Sequence, residues 1–327
     1  MKRQRSAPHF APEKLSIWES NVMRFFSKGI SYGFDGPGTR LVFYTRGCNF
    51  RCRWCANPEG LENEPRLLFY PDRSPFTDEA CPMGAVIKAR NSASSLSLDK
   101  TVCGICSERP CVNVWKHPSF ELAGFEMDPE MIVCESRKHR AFFGGSGGVT
   151  FGGGEPTIQH DGLIESLSLL KLAGIDTAVE TNASAPLFGE LLNFADKVIC
   201  DLKCVSRSKH IEWTYADNSQ TLKNIESAIL YKNNVTLRVT LVPGFNDDVS
   251  ELLEISRFIH PLAEKRVAGS GMPLTIELLK VHHLGESKYR ALGASYPMKG
   301  NELVSETAFK EALKLLSSKG ILIKPQV

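Results

Sequence analysis

The chain of 327 residues is 42% apolar and 23% charged, with a formal net charge of +2. At ~150 residues per domain this suits one large domain or about two smaller ones, with ample core and no need of a disulfide scaffold. These fractions exclude disorder, collagen-like repeats and low complexity, and the near-neutral balance gives no electrostatic case for nucleic acid or an anionic membrane.

No apolar run approaches the ~20 residues of a bilayer span. The basic start at residues 1–5 leads into Ser-Ala-Pro-His rather than an apolar stretch, so a cytoplasmic protein without a secretory signal is expected. In chain order, the first strand is predicted at residues 39–46 (TRLVFYTR), ending at three closely spaced cysteines. Residues 61–121 then break the pattern with Pro65, Pro71, Pro75 and Pro82, a Ser-rich stretch at 91–97, and four of the ten cysteines. A segment this size has too small a core to hold itself. It reads as an inserted domain held by a metal centre, set into a main domain of residues 1–60 and 122–327.

After it, strands are predicted at 148–151 (GVTF), 176–180 (DTAVE), 197–201 (KVICD), 235–242 (VTLRVTLV) and 274–280 (LTIELLK). Their short β-branched and apolar runs fit buried parallel strands. Helices separate them. Residues 160–171 carry Leu163, Ile164, Leu167 and Leu170, and 247–259 open on Asp247 and Asp248, which suits a helix N-terminus. A last helix is predicted over 301–318, closed by Lys319 and Gly320. Six strands alternating with helices imply an α/β domain with a parallel sheet, open or closed into a partial barrel.

Cysteines in an intracellular chain are more often metal ligands or catalytic thiols than disulfides. Residues 47–57 read GCNFRCRWCAN, placing Cys48, Cys52 and Cys55 in a Cys-x3-Cys-x2-Cys run after the first strand. Three thiolates are one short of the four that close most zinc or iron–sulfur sites. The run is either a zinc site completed by a histidine or a cluster with one iron left open; Trp54 and the loop position after a parallel strand favour the second.

The Cys-x3-Cys-x-aromatic-Cys pattern resembles the signature of the radical S-adenosylmethionine (SAM) enzymes. The resemblance implies a partial (β/α) TIM-type barrel and a 4Fe–4S cluster whose open iron chelates SAM, which is cleaved reductively to methionine and a 5′-deoxyadenosyl radical. Residues 149–156 (VTFGGGEP) are similar to that superfamily's Gly-Gly-Glu motif, where glycine lets the main chain approach SAM closely. Four further stretches resemble the glycyl-radical-enzyme activating enzymes, the group of the pyruvate formate-lyase activase: 35–40 (DGPGTR), 201–203 (DLK), 238–247 (RVTLVPGFND) and 281–285 (VHHLG). They occur in that family's order and cover most of the chain.

The resemblance implies that Cys48, Cys52 and Cys55 ligate the SAM cluster. It further implies that Trp54, Ala56, Asn57, Gly153, Gly154, Glu155, Glu180, Asp201, Leu202, Lys203, Arg238 and His282 surround SAM. Asp35 would lie in the loop that meets the glycine-bearing partner, and Asp35, Lys203, Arg238 and His282 are the expected catalytic set. Asp201 and Lys203 would otherwise be an ordinary surface pair, but the carboxyl end of a parallel strand is where α/β active sites gather. Two positions depart from the family. Ala56 replaces a frequent histidine, and Glu180 in 180–183 (ETNA) replaces an aspartate that helps bind a monovalent cation beside SAM. The implied activity is abstraction of hydrogen from a glycine of a partner glycyl radical enzyme, with flavodoxin or ferredoxin as reductant. Alternatives are a radical SAM reaction on a small molecule, or an iron–sulfur or zinc electron-transfer or binding protein that does not cleave SAM.

The insertion is similar to a two-half ferredoxin-like unit, in which the fourth cysteine of each half ligates the other half's cluster. The first half keeps only Cys81-Pro82; the second keeps Cys103, Cys106 and Cys111, with Trp115 where its fourth cysteine would stand. One complete set of four survives, which implies a single auxiliary 4Fe–4S cluster; a zinc site from the same thiolates competes with it. Cys134, Cys200 and Cys204 are expected to be packing residues. Residues 137–140 (RKHR) read as a solvated helix face, and His117, His160 and His210 show no paired ligand signal.

Overall fold

The computed structural model describes residues 21–73, 81–88, 96–114, 116–298 and 303–326. Residues 1–5, Pro75, residues 91–95, Trp115 and the predicted helix start at 301–302 lie outside the described residues. The strands are β1 (Met23–Tyr32), β2 (Thr39–Thr45), β3 (Arg66–Phe69), β4 (Val86–Lys88), β5 (Leu96–Leu98), β6 (Phe120–Ala123), β7 (Phe125–Met127), β8 (Gly148–Gly153), β9 (Thr177–Thr181), β10 (Lys197–Asp201), β11 (Val235–Leu241), β12 (Leu274–Lys280) and β13 (Ile321–Gln326).

One nine-stranded sheet runs β13-β12-β11-β10-β9-β8-β2-β1-β7. From β2 to β13 every neighbour pair is parallel and follows chain order. A doubly wound sheet reverses its strand order at a switch point. Here the order never reverses, so right-handed crossovers all place their helices on one face and the sheet is wound as a partial barrel. β1 pairs antiparallel with β2 and β7 with β1, extending one edge.

The burial rhythm of β11 fixes the two faces. Val235, Leu237, Val239 and Leu241 are buried in the main core, while Thr236, Arg238 and Thr240 alternate with them on the opposite face. The six predicted strands coincide with β2, β8, β9, β10, β11 and β12 within two residues. In the same sheet, β1, β13 and the short β7 lie where no strand is predicted. The helix predicted over 247–259 spans Val249–Ser270, capped by Asp248, whose carboxylate accepts from Glu251 N at 2.9 Å. It passes through Pro261 and ends at Gly271, where φ is 73°. The last helix is Glu306–Leu316, shorter than predicted, because Ser305 caps it by accepting from Ala308 N.

Within residues 61–121, β3 pairs with β6 and β4 with β5 as two small antiparallel sheets. β6 runs across residue 121. Phe69, Cys111 and Phe120 form a small core there, and Phe26, Leu68, Ala123, Ala291 and Leu292 form another that joins β1, β3, β6 and the helix Glu286–Ala291. Among the described residues no helix is long and apolar enough to cross a membrane.

Candidate active site at the carboxyl ends of the strands

β2 ends at Thr45 and delivers Gly47 and the three thiols to the carboxyl end of the sheet. Two main-chain bonds seat this loop: Arg51 N donates to Thr214 O at 2.8 Å and Arg53 N to Trp213 O at 3.0 Å. Trp54 packs against Phe245 and Trp213, with ring centroids 4.9 and 6.5 Å away. Cys48, Cys52 and Cys55 all line one cavity of about 250 Å³.

The end of β8 closes against this loop. Gly154 N donates to Thr45 O at 2.9 Å and Glu155 N to Gly47 O at 2.8 Å. A Cβ on Gly154 would stand 2.2 Å from Gly47 O, and Gly153 holds a φ of 100°, so neither position accepts a side chain. Trp54, Ala56, Asn57, Gly153, Gly154, Glu180, Asp201, Lys203, Arg238 and His282 line the same cavity as the three thiols. Thus the structure gathers most of the sequence-predicted set around one space.

Two of the residues expected around this space, Glu155 and Leu202, do not line it, and Asp35 lies in the loop where it was expected. Glu155 is 1% exposed and accepts from Thr157 N at 3.2 Å, Thr181 Oγ1 at 2.7 Å and Asn182 N at 2.7 Å, so it braces the end of β8 to that of β9. Leu202 is buried in the main core, its N donating to Arg238 O. Asp35 lies in the turn between β1 and β2, its carbonyl accepting from Thr150 Oγ1 at 2.7 Å. Its carboxylate still acts on the interior, adding to the upward push on Glu180.

The interior is a charge lattice. Arg238 Nη2 donates to Glu277 Oε2 at 3.0 Å and to Phe34 O at 2.6 Å. Its Nη1 stands 2.8 Å from the buried Glu180 Oε1 in a close ion-pair contact. Burial opposes the Arg238 charge, but Glu180, Asp201 and Glu277 together outweigh it and hold the guanidinium above its ordinary value. Burial pushes Glu180 up, against the pull of Arg238. Lys203 Nζ lies 3.3 Å from Asp201 Oδ2 and 5.7 Å from the Trp54 ring. Burial works against its charge too, and Asp201 with the nearby thiols raises it. His282 is pulled below its usual value, first by burial and then by His283.

Burial pushes all three thiols up, Cys48 to about 12 and Cys52 and Cys55 to about 11. Burial disfavours the bare thiolates and Lys203 favours them; a bound metal would add the opposing charge that three thiolates need, which suits the donor set to a metal cluster. Phe50 N reaches Cys48 Sγ and Asn57 N reaches Cys55 Sγ, both at 3.4 Å, the kind of N–H to sulfur bond that tunes iron–sulfur centres. Among the described residues, no three His, Cys, Asp or Glu side chains are drawn as tightly together as a single bound ion requires.

Within residues 61–121, Cys81, Cys103, Cys106 and Cys111 border one small pocket. Ala85 N donates to Cys81 Sγ at 3.3 Å, and burial pushes Cys103 and Cys111 up. Cys200 and Cys204 are buried in the core as expected, but Cys134 is exposed, on the outer side of the helix Pro129–Lys138. Sequence reasoning missed Asn182, Thr240 and Glu277. Thr240 lies two residues beyond Arg238 on the same face of β11, and Glu277 pairs with Arg238 across the β11–β12 register, so strand periodicity would have found both.

A family model described as the Radical SAM superfamily matches residues 42–256. The 4-hydroxyphenylacetate decarboxylase activating enzyme of Clostridioides difficile (strain 630) is 32% identical over 88% of this chain and 90% of its own length. The (2S)-3-sulfopropanediol dehydratase activating enzyme of Klebsiella oxytoca is 30% identical over 86% of this chain and 89% of its own. The choline trimethylamine-lyase activating enzyme of Oleidesulfovibrio alaskensis is 30% identical over 84% of this chain and 88% of its own.

Proposed function

This chain belongs to the radical SAM superfamily and, within it, to the activating enzymes of glycyl radical enzymes; from that membership we propose that Cys48, Cys52 and Cys55 hold its SAM-binding 4Fe–4S cluster and that the cavity beside them takes SAM. When bound and reduced, the cluster supplies the electron that splits SAM into methionine and a 5′-deoxyadenosyl radical, which takes a hydrogen atom from a glycine of the partner enzyme. Cys48, Cys52 and Cys55 would hold the cluster through three thiolates, one fewer than a closed site uses, so that a position would stay free for substrate.

The chain's own residues bind, orient and exclude. Gly153 and Gly154 bring bare main chain to the cavity wall. Asp201 offers an acceptor, while Lys203 and Arg238 keep their protons and present fixed positive charge. Trp54 and Ala56 wall the space beside the cysteines, with Asn57 next to them, and His282 closes it from the loop after β12. Asp35 faces the incoming glycine segment from the turn between β1 and β2. The observation that carries this reading is the convergence of three cysteines, a glycine-rich strand end and the Asp201–Lys203–Arg238 charges on one cavity.

The finer assignments rest on the same reading. Cys81, Cys103, Cys106 and Cys111 hold one auxiliary 4Fe–4S cluster, supported by their shared pocket and by the N–H donated to Cys81 Sγ. A monovalent cation would bind at Glu180 Oε1, where it meets competition from Arg238. Residues 61–121 act as a unit inserted into the barrel of residues 1–60 and 122–327, the reductant is a flavodoxin or ferredoxin, and the protein works in the cytoplasm.

Anaerobic electron paramagnetic resonance tests the proposal. Reconstituted protein, SAM and reductant are mixed with a candidate glycyl radical enzyme from the same cell, and deoxyadenosine is quantified in the same tube. A glycyl doublet with matching deoxyadenosine is expected. Deoxyadenosine without a doublet across the candidate partners would point to small-molecule chemistry. Neither signal, from fully iron-loaded protein, would leave an electron-transfer or binding protein.

A further inference from the structure

A second, larger cavity of about 850 Å³ lies between the insertion and the barrel, bounded by β3, β5, Lys100 and the helix Glu286–Ala291. Its described lining carries five cationic side chains, Arg66, Arg73, Lys100, Arg109 and Arg290, against one carboxylate, Asp72. Their charge is only partly spent within the protein. Arg73 pairs with Glu121 at 2.9 Å, and Arg290 meets Glu286 only at 3.9 Å with its side chain 76% exposed. Lys100 Nζ donates to the carbonyl of Gly293, which leaves its charge uncancelled. Cys103 lines this cavity and the small pocket of the four cysteines alike.

The helix Glu286–Ala291 joins this groove to the SAM-binding loop. At its start, the space for a Cβ on Gly285 lies 2.7 Å from Cys55 O. Lys288 Nζ reaches Asn57 Oδ1 at 3.0 Å and Glu59 Oε1 at 2.6 Å. Just past its end, Gly293 takes the Lys100 bond. One short helix therefore touches the cysteine loop at one end and the cationic groove at the other.

We propose that this groove docks an acidic one-electron carrier protein, which hands its electron to the centre held by Cys81, Cys103, Cys106 and Cys111. The inference rests on the auxiliary-cluster reading above. Electron-transfer encounters use small, transient interfaces, and opposite charge supplies their steering and orientation. The reduced carrier loses one electron, the cluster gains one, and no bond is made or broken.

The test uses the full, reconstituted chain with a reduced acidic flavodoxin as probe, comparing the wild type, the double variant Arg66→Glu/Arg290→Glu, and Arg137→Glu on a distant helix as control. Wild-type binding should weaken steeply with added salt. The double variant should bind about tenfold more weakly or worse, and its cluster should be reduced more slowly by the same factor. Reduction by photoexcited deazaflavin, which needs no dock, should be unchanged and shows that the variant is folded and loaded. Equal binding by the double variant, or equal loss in the control, would overturn the dock. Iron separates this from the reading beneath it: about 8 Fe per chain with charge-independent binding keeps the cluster and removes the dock, whereas about 4 Fe with salt-sensitive binding at the groove removes the electron route.

Discussion

Arg40 is wholly buried, yet its guanidinium is well partnered: Nε donates to Thr150 Oγ1 at 2.8 Å, Nη1 to Asp176 Oδ1 at 2.7 Å and Nη2 to Val149 O at 2.5 Å. The Thr150 hydroxyl passes the connection on to Asp35 O, so one side chain ties β2 to β8 and steadies the turn that carries Asp35. In the sequence Arg40 is merely the last letter of the DGPGTR stretch; its work is structural. Arg40→Ala would remove the buried donors to Thr150 Oγ1, Val149 O and Asp176, although Asp176 keeps Lys197 and Thr150 keeps Asp35 O, and should lower the unfolding free energy by about 2–3 kcal/mol. Arg40→Lys should recover only part of this, since an ammonium cannot reach three acceptors in the guanidinium's planar fork. Urea unfolding of the two variants checks it, and an unchanged midpoint for Arg40→Ala would refute the account.

The helix Pro129–Lys138 is clamped across β1 by Glu135, whose carboxylate lies 2.5 Å from Lys28 Nζ and 2.8 Å from Lys138 Nζ. The hydrogen bonds from Lys138 and then Lys28 hold this carboxyl at about 2, well below its ordinary value. A depressed carboxylate stabilises the fold above its unfolded pKa, about 4.3, and the gain disappears as pH falls toward 2. Glu135→Gln should therefore cost about 1 kcal/mol at pH 7, a surface-pair magnitude, and nothing near pH 2. Chemical unfolding at a series of pH values reads the convergence of the two proteins, and parallel curves would contradict it. Element by element, what the sequence disclosed follows the same physics. Strands buried on both faces were legible as apolar runs, whereas β1 was not, because Lys28, Gly29 and Ser31 interrupt its half-buried pattern. β13 was hidden by Pro325, which only an edge strand tolerates. The helix Val249–Ser270 runs past the point where Pro261 predicts a stop, because Leu262, Ala263 and Arg266 bury its second half and offset the lost main-chain bond. The site was mostly legible where a motif set the residue type; Glu277 lies in no motif and Thr240 is an intervening position of the 238–247 stretch, so both act only through their place across or along a strand.

At the scale of the molecule, the two cysteine sets sit in separately packed regions. The main core spreads along the barrel strands and takes in Trp54 and the partly buried Cys52, while Cys111 belongs to the small core with Phe69 and Phe120. Apolar contact between the regions runs through Phe26, Leu68, Ala123, Ala291 and Leu292, none of which is a cysteine. If each set holds its own cluster, the two should be lost independently. Replacing Cys81, Cys103, Cys106 and Cys111 by Ser should lower iron from about 8 to about 4 per chain and leave SAM cleavage by a small-molecule reductant intact. Replacing Cys48, Cys52 and Cys55 should remove the other 4 or so and abolish cleavage altogether. Iron and zinc are counted in the same samples as deoxyadenosine. Wild-type protein with about 4 Fe and about 1 Zn would assign zinc to the insertion. Complete loss of iron from the four-cysteine variant would show that the insertion must fold before the barrel can hold its cluster, the coupling expected if those five apolar residues transmit more than contact. A core of three side chains is too small to fold on its own without cross-links or a metal, so the four-cysteine variant should also become the preferred target of limited proteolysis within residues 61–121.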